Sequence, residues 1–377
     1  MSQKEFSADI AIVGAGIVGL AHAYMAAQKG YQIVVFERDR VATGASIRNF
    51  GLLWPIGQAP GAGLDRALRS RQHWNEVAAK ARVWLKPNGS LHLAYHGDEW
   101  RVLQEFVALY RAEPYQLELL SPERVMALSP GVLKKGLLGG LYSATEATVY
   151  SREAIRQIPE WLQASLGVQF RFGQPVTSVE MPWIKTPRER WRVGKVLVCS
   201  GNDFETLYPE QYEQLGLTRC KLHMMKATAA APFPLGPSLC AGLTLRHYDA
   251  FQKCSSLAQV ASRYDADMPA YHENGIHVLV SQNSLDEFII GDSHHYGLSH
   301  EPFDSEHINQ LIWQYLSGFF STGALSITER WHGIYPKYKA GLHVSTIPEK
   351  DVLIINGLGG AGMTLSFGLA EEVINSL

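Results

Sequence analysis

The stretch from Asp9 to Leu20 limits what this chain can fold into more than any other. Ile10-Ala11-Ile12-Val13 is a short apolar run, too short for a buried helix and right for a buried parallel strand. Gly14, Gly16 and Gly19 follow at once in G-x-G-x-x-G spacing, and Ile17 to Lys29 is a helix-length run that Gly30 ends. A second apolar run, Gln32 to Phe36, ends in Glu37, eighteen residues beyond Gly19. Each glycine has its own reason. Gly14 permits the tight turn from strand to helix, Gly16 lets a pyrophosphate approach bare backbone, and Gly19 lets the helix pack closely on the strand. The helix start offers free N–H groups and a positive dipole end to phosphates. Glu37, at the tip of the second strand, is placed to accept hydrogen bonds from ribose hydroxyls. A glycine turn alone would say little; a strand before it, a helix after it and an acid at this distance read as a dinucleotide site.

The totals narrow the class. At 377 residues the chain suffices for two domains, or for one with a large insertion. With 46% apolar and 19% charged residues it is expected to be globular and ordered. A net charge of −2 offers no footprint for nucleic acid. No run of about twenty apolar residues exists, so no membrane span is expected, and the polar N-terminus does not read as a signal peptide. Cys199, Cys220, Cys240 and Cys254 form no CxxC pair and no zinc spacing. They read as reduced core residues of a cytoplasmic protein, and no metal site is expected.

Further along, the loop Val41 to Gly51 carries Ser46, which reads either as a helix cap or as part of a close approach to a ligand. Helices are expected over Gly63 to Val83, Glu99 to Glu113, from Ser121-Pro122, and over Arg152 to Leu166. Val168 to Phe172, Val176 to Glu180 and Lys195 to Cys199 read as strands; the last runs into Ser200-Gly201-Asn202, either a second contact to the same dinucleotide or a plain exit from the sheet. Residues 205 to 325 differ in texture, with alternating runs such as Ile276 to Val280 and Glu287 to Gly291 and a helix from His307 to Phe320. They suggest a largely antiparallel sheet with a solvated face. Near the end, the strand Asp351 to Asn356, the turn Gly357 to Thr364 and the helix Leu365 to Leu377 repeat the opening logic. Two such turns at the two ends of the chain suggest one long ligand reached from both sides.

With these pieces in place the sequence resembles the D-amino-acid oxidase / glycine oxidase superfamily of FAD-dependent oxidoreductases over its whole length. Ser46-Ile47-Arg48-Asn49-Phe50-Gly51-Leu52-Leu53-Trp54-Pro55 and Gly359-Gly360-Ala361-Gly362-Met363-Thr364-Leu365-Ser366-Phe367-Gly368 look like the subgroup associated with aminophosphonate breakdown. The resemblance implies an α/β fold: a Rossmann-like FAD-binding domain of glutathione-reductase type (1-80, 141-205 and 326-377) and an α+β substrate domain on a mixed, largely antiparallel sheet (81-140 and 206-325). It implies that Gly14, Gly16 and Gly19 hold the FAD pyrophosphate and that Glu37 and Arg38 meet the adenosine ribose. Ser46, Arg48 and Asn49 would line the flavin side, Val176 would offer its backbone to the adenine, Gly201 would be among the cofactor-binding residues, and Gly360, Gly362, Met363 and Thr364 would meet the flavin. No Cys or His stands in an attachment motif, so the FAD is expected to be non-covalent.

One departure bears on the substrate. Amino-acid oxidases of this superfamily usually carry Trp-x-Gly-x-Arg-Pro near the C-terminus, whose Arg pairs the substrate carboxylate. Here the stretch is Trp331-His332-Gly333-Ile334-Tyr335-Pro336-Lys337, with Tyr335 in the arginine position. Tyrosine cannot form the bidentate charged pair, which points away from plain α-amino acids. His294 and His295 read either as holding a dianionic headgroup such as phosphonate, with Lys337 or Arg48, or as surface loop residues; Lys337 alone reads better as a solvated lysine. The implied chemistry is oxidation of a small amine by hydride transfer to flavin N5, with His294, His295 and Tyr335 placing the substrate and oxygen or another acceptor taking the electrons. D-amino acids, glycine or sarcosine are the alternative substrates. A flavin protein without turnover is the alternative outside enzymology.

Overall fold

The computed structural model describes residues 4–377. The N-terminal apolar run forms the strand Lys4–Val13, which pairs in parallel with Ile33–Glu37 on one side and with Glu189–Val198 on the other. Neighbours on both edges and layers on both faces explain why Ile10 to Val13, Ile33 to Phe36 and Val196 to Val198 are apolar without interruption, while the first halves of the two long strands are not. Val352–Asn356 continues the parallel order beyond Val196 to Val198, and Gln169–Phe172 continues it beyond Ile33–Glu37. Short antiparallel strands complete an eight-stranded sheet. The helices Ile17–Gln28, Ala62–Ala81, Ser151–Leu166 and Gly362–Ser376 pack together, and Ile12, Leu20, Trp74 and Phe367 share their core.

A second sheet of nine strands is built around Leu217–Ala229 and Leu325–Tyr338, antiparallel along their length. It is mixed, since Ser238–Cys240 runs parallel to Ser90–Ala94. The expected domain division at 326 assigns Leu325–Tyr338 to the first unit, but its hydrogen bonds go to the second sheet. A third sheet joins Leu52–Leu53, Ala147–Val149 and Leu85–Lys86.

The solvated face expected for residues 205 to 325 is not found on the central strand. On Leu217–Ala229, Met225 and Ala227 enter the helix-covered core, while Cys220, Leu222 and Met224 pack with Ile289 and Tyr335. Alternation is present, but its second face is a buried wall. The strand expected at Ile276 to Val280 begins later, as Leu279–Gln282. The two large sheets meet where Leu325–Tyr338 ends: Lys337 bridges to Leu358, and the Tyr338 N–H donates to the Gly357 carbonyl at 3.2 Å.

Candidate active site

The register Val13 with Val198, and Val13 with Phe36, brings the fingerprint turn to the carboxyl ends of three adjacent parallel strands. Gly14 has φ +105°, and a Cβ there would overlap the Cys199 carbonyl oxygen; one at Gly19 would overlap the Gly14 carbonyl oxygen. These two glycines are demanded by the chain itself. Gly16 is different: its φ is −70°, and a Cβ would meet only the Ser46 Oγ, at 3.0 Å. Ile17–Gln28 has no side-chain cap of its own and no acidic residue in its first turn. Ser46 supplies the cap from another loop, its Oγ accepting from the Ile17 N–H at 2.9 Å. Ser46 itself lies inside the short helix Ala45–Ile47 rather than capping it, and it also lines the cavity described next. Glu37 Oε2 accepts from the Ala15 N–H at 3.0 Å, tying the acid at the end of the second strand to the glycine turn.

A cavity of about 1070 Å³ runs over this turn, at the upper end of ligand pockets, which run to about 1,000 Å³. Gly14, Gly16, Glu37, Arg38, Val176 and Gly201 line one end. Ser46, Arg48, Asn49, Gly360, Gly362, Met363 and Thr364 follow, so both glycine turns face one space. Gly19 is not in the wall, as its role in helix packing requires. Arg38 is half-exposed and ion-paired with Asp203. Asn49 is spent within its own loop, donating to the Ala45 carbonyl and accepting from the Gly51 N–H. Gly362–Ser376 starts without a side-chain cap or an acidic residue in its first turn, leaving its positive end to the cavity. It is held there by Trp74, whose Nε1–H donates to the Met363 carbonyl at 2.8 Å, and by Thr364 Oγ1, which accepts from the Trp54 N–H at 2.9 Å.

The inner end of the cavity lies against the second sheet and is polar. Tyr335 and His294 both line it, their rings 6.5 Å apart. His295 does not; that expectation is corrected. Successive residues of an extended chain point to opposite sides, so His294 enters the cavity while His295 turns toward His223. Lys337 also departs from its reading as a solvated residue. It sits two positions after Tyr335 in the same strand, lines the cavity, and lies across Gly359.

Sequence reading missed His247, Tyr248, His277 and Asp292, all in the wall of this inner end. His277 and Asp292 face each other through paired backbone hydrogen bonds of 2.9 and 3.3 Å, and His294 follows two residues later. Asp292 and His294 at i and i+2 of an extended run were the one available signal; His247 had none. Burial drives the His294 pKa down to about 4, with Lys337 and His295 adding to the effect. It also holds His277 well below the ordinary value and pushes Asp292 well above its own, whereas His247 stands exposed. At neutral pH His277 and His294 are neutral, able to offer lone pairs and N–H groups but no charge. Tyr335, buried, is held well above the usual phenol range and keeps its proton.

Comparison with known proteins identifies the group this cavity serves. The family described as FAD dependent oxidoreductase (DAO) matches residues 9–375. The chain belongs to this family. Among its relatives, this FAD-dependent oxidoreductase is 27% identical over 229 residues to D-amino acid dehydrogenase 2 of Mesorhizobium japonicum, covering 46% of this chain and 55% of the relative. It is 24% identical over 142 residues to glycine oxidase of Geobacillus kaustophilus, 36% of this chain and 38% of that one. The chain thus spans about half or less of the length of the curated relatives it matches. By structure it is similar to glycine oxidase from Geobacillus kaustophilus, with TM-score 0.79 at 18% identity over 99% of this chain and 94% of the other. It is also similar to iminodiacetate oxidase from Chelativorans sp. BNC1, with TM-score 0.73 at 16% identity over 97% and 94%. These likenesses give the fold.

FAD is the cofactor of the family, and the cavity fits it. The space over Gly16 is not needed by the chain, two helix starts with no acidic residue in the first turn face one cavity, and the cavity is long enough for residues from both ends of the sequence to line it.

Proposed function

We propose that this oxidoreductase oxidises a small amine that carries an anionic group, and that the anion is of the phosphonate type. The eight-stranded sheet and its helices would hold the FAD without a covalent link, and the inner, polar end of the cavity would hold the substrate. When bound, the flavin supplies the two-electron acceptor. The residues of this chain do the rest. Lys337, the cation across Gly359, would take the anionic end; Arg48 also lines the cavity, its guanidinium donating to the His332 carbonyl at 3.3 Å. The Tyr335 hydroxyl would orient the amine and accept or donate hydrogen bonds around it beside the His294 wall, in a pocket that Leu222, Met224 and Phe50 also line.

The observation that carries this reading is the replacement of the carboxylate-pairing arginine by Tyr335, with Lys337 two residues on in the same strand. The relatives support the amine: their names speak of D-amino acids, glycine and iminodiacetate, each an amine beside an anion. The match to a D-amino acid dehydrogenase favours a second reading, an amino-acid dehydrogenase that passes electrons to an acceptor other than oxygen.

The test is anaerobic flavin bleaching with 2-aminoethylphosphonate and its N-methylated and hydroxylated relatives, against glycine, sarcosine and D-alanine. Faster bleaching by the phosphonates is expected. Fastest bleaching by the carboxylates would overturn the phosphonate assignment, and none with any amine would overturn the amine reading. Peroxide yield against dye reduction then separates oxygen from another acceptor.

A further inference from the structure

The imidazoles at the inner end of the cavity do more than line it. His277 stacks on His247 at 3.7 Å between ring centroids and lies 5.0 Å from His294, nearly parallel to it. One nitrogen from each of the three lies within 4.8 Å of the others. Asp292 closes the group, with Oδ1 3.3 Å from His277 Nε2 and Oδ2 3.8 Å from His294 Nε2. His277 is 3% exposed and Asp292 5% exposed. Yet both ring nitrogens of His277 and the Oδ1 of Asp292 have no hydrogen-bond partner. His277 Nε2 and Asp292 Oδ1 face each other without hydrogen-bond geometry, and buried polar atoms left without partners are costly, so their meeting in one spot calls for a ligand.

The tautomer of His294 points the same way. Its Nδ1 hydrogen-bonds the Gly275 carbonyl at 3.0 Å and must be the protonated nitrogen there. That leaves the lone pair on Nε2, the atom that faces Asp292. A backbone carbonyl that fixes the far nitrogen is the usual support of a metal-ligating histidine.

We propose that His247, His277 and His294, with Asp292, hold a divalent transition-metal ion of the zinc type at the inner end of the cavity. Bonds of about 2.0–2.1 Å at a tetrahedral centre set the donors about 3.3 Å apart, the separation already present between His277 and Asp292. The widest separation is 4.8 Å, so binding the ion requires His247 to leave its stack on His277 and turn a ring nitrogen toward the others. Imidazole donors with one carboxylate select zinc, cobalt, nickel or copper over calcium or magnesium, which prefer all-oxygen shells. The ion would stand in the wall that also holds Tyr335 and Lys337, bringing positive charge to a place where His277 and His294 bring none. Its presence does not depend on which amine the enzyme oxidises.

The test uses tag-free, flavin-loaded full-length protein stripped with a chelator, reloaded with ZnCl2 or CoCl2, desalted and assayed for metal. We expect one ion per chain, with the ligand-field absorption of four-coordinate cobalt, abolished by competing zinc. His277→Ala is expected to weaken binding by at least about 10–100-fold, while His307→Ala, an exposed histidine outside the cluster, is expected to bind as the parent does. Asp292→Asn keeps the shape, and carries the same expectation if His277→Ala fails to fold, as judged by thermal melting. No retained metal, or binding that neither variant weakens, would overturn the proposal and leave the orphan atoms to ordered water.

Discussion

Gly16 has φ −70°, a value open to any residue, and only the Ser46 hydroxyl stands near its missing Cβ. The chain itself does not require glycine there; a diphosphate resting on the backbone would. Gly16→Val is therefore expected to melt within a few degrees of the parent and to purify with little flavin, read as the ratio of flavin to protein absorbance. Normal flavin content would show that the diphosphate lies elsewhere. Lys337 makes the matching test at the substrate end. Removing a charge-assisted contact costs about 1.5–3 kcal/mol, so Lys337→Met should lower kcat/KM for an anionic amine by about 10–100-fold, mostly through KM. Unchanged kcat/KM would move the anion to another residue.

At the scale of elements, the start of Gly362–Ser376 is set by how closely that helix lies on Ala62–Ala81. Gly368 permits the approach: a Cβ there would overlap the Arg66 carbonyl oxygen. Arg66 then reaches Glu372 at 2.6 Å, while Trp74 fixes the first turn. Gly368→Ala should force the helices apart and destabilise by about 1–3 kcal/mol. Because the helix start moves with it, flavin affinity should fall in the same variant, measured by fluorescence titration. A loss of stability with intact flavin affinity would mean that the helix start is anchored by Trp74 and Thr364 alone.

For the whole molecule, two histidines away from the cavity chemistry make stability depend on pH. Burial drives His22 down to about 4 and His92 down to about 3. His92 lies between Trp54 and Phe251 with neither nitrogen partnered. Both are neutral when folded, and in the unfolded chain they take up protons below about pH 6.5. Their contribution is whole above that pH and is lost as pH falls toward 4, by up to about 1.4 kcal/mol per pH unit for each. Urea midpoints should therefore drop between pH 7 and pH 5, and His92→Phe should flatten that drop. An equal drop in the variant would place the proton uptake elsewhere. The described residues contain no helix long and apolar enough to cross a membrane, and the four cysteines are buried free thiols.

The first strand, its glycines, the helix and Glu37 were legible because each is fixed by neighbours in sequence: a strand period, a turn that only glycine fits, a helix stop at Gly30 with φ +83°. The C-terminal strand, turn and helix were legible for the same reason. The inner end of the cavity was not. His247, His277, Asp292 and His294 come from separate segments, and Lys337 from a strand of the second sheet that ends against the first. Local spacing cannot report such a meeting, nor that His294 and His295 part to opposite sides of one strand. The sequence alone determined a strand, glycine turn and helix of the kind that takes a dinucleotide. Only the pairing of Leu325–Tyr338 with Leu217–Ala229, and its stitch to Leu358, decided what stands at the far end of that ligand, because long-range register is set by packing rather than by spacing.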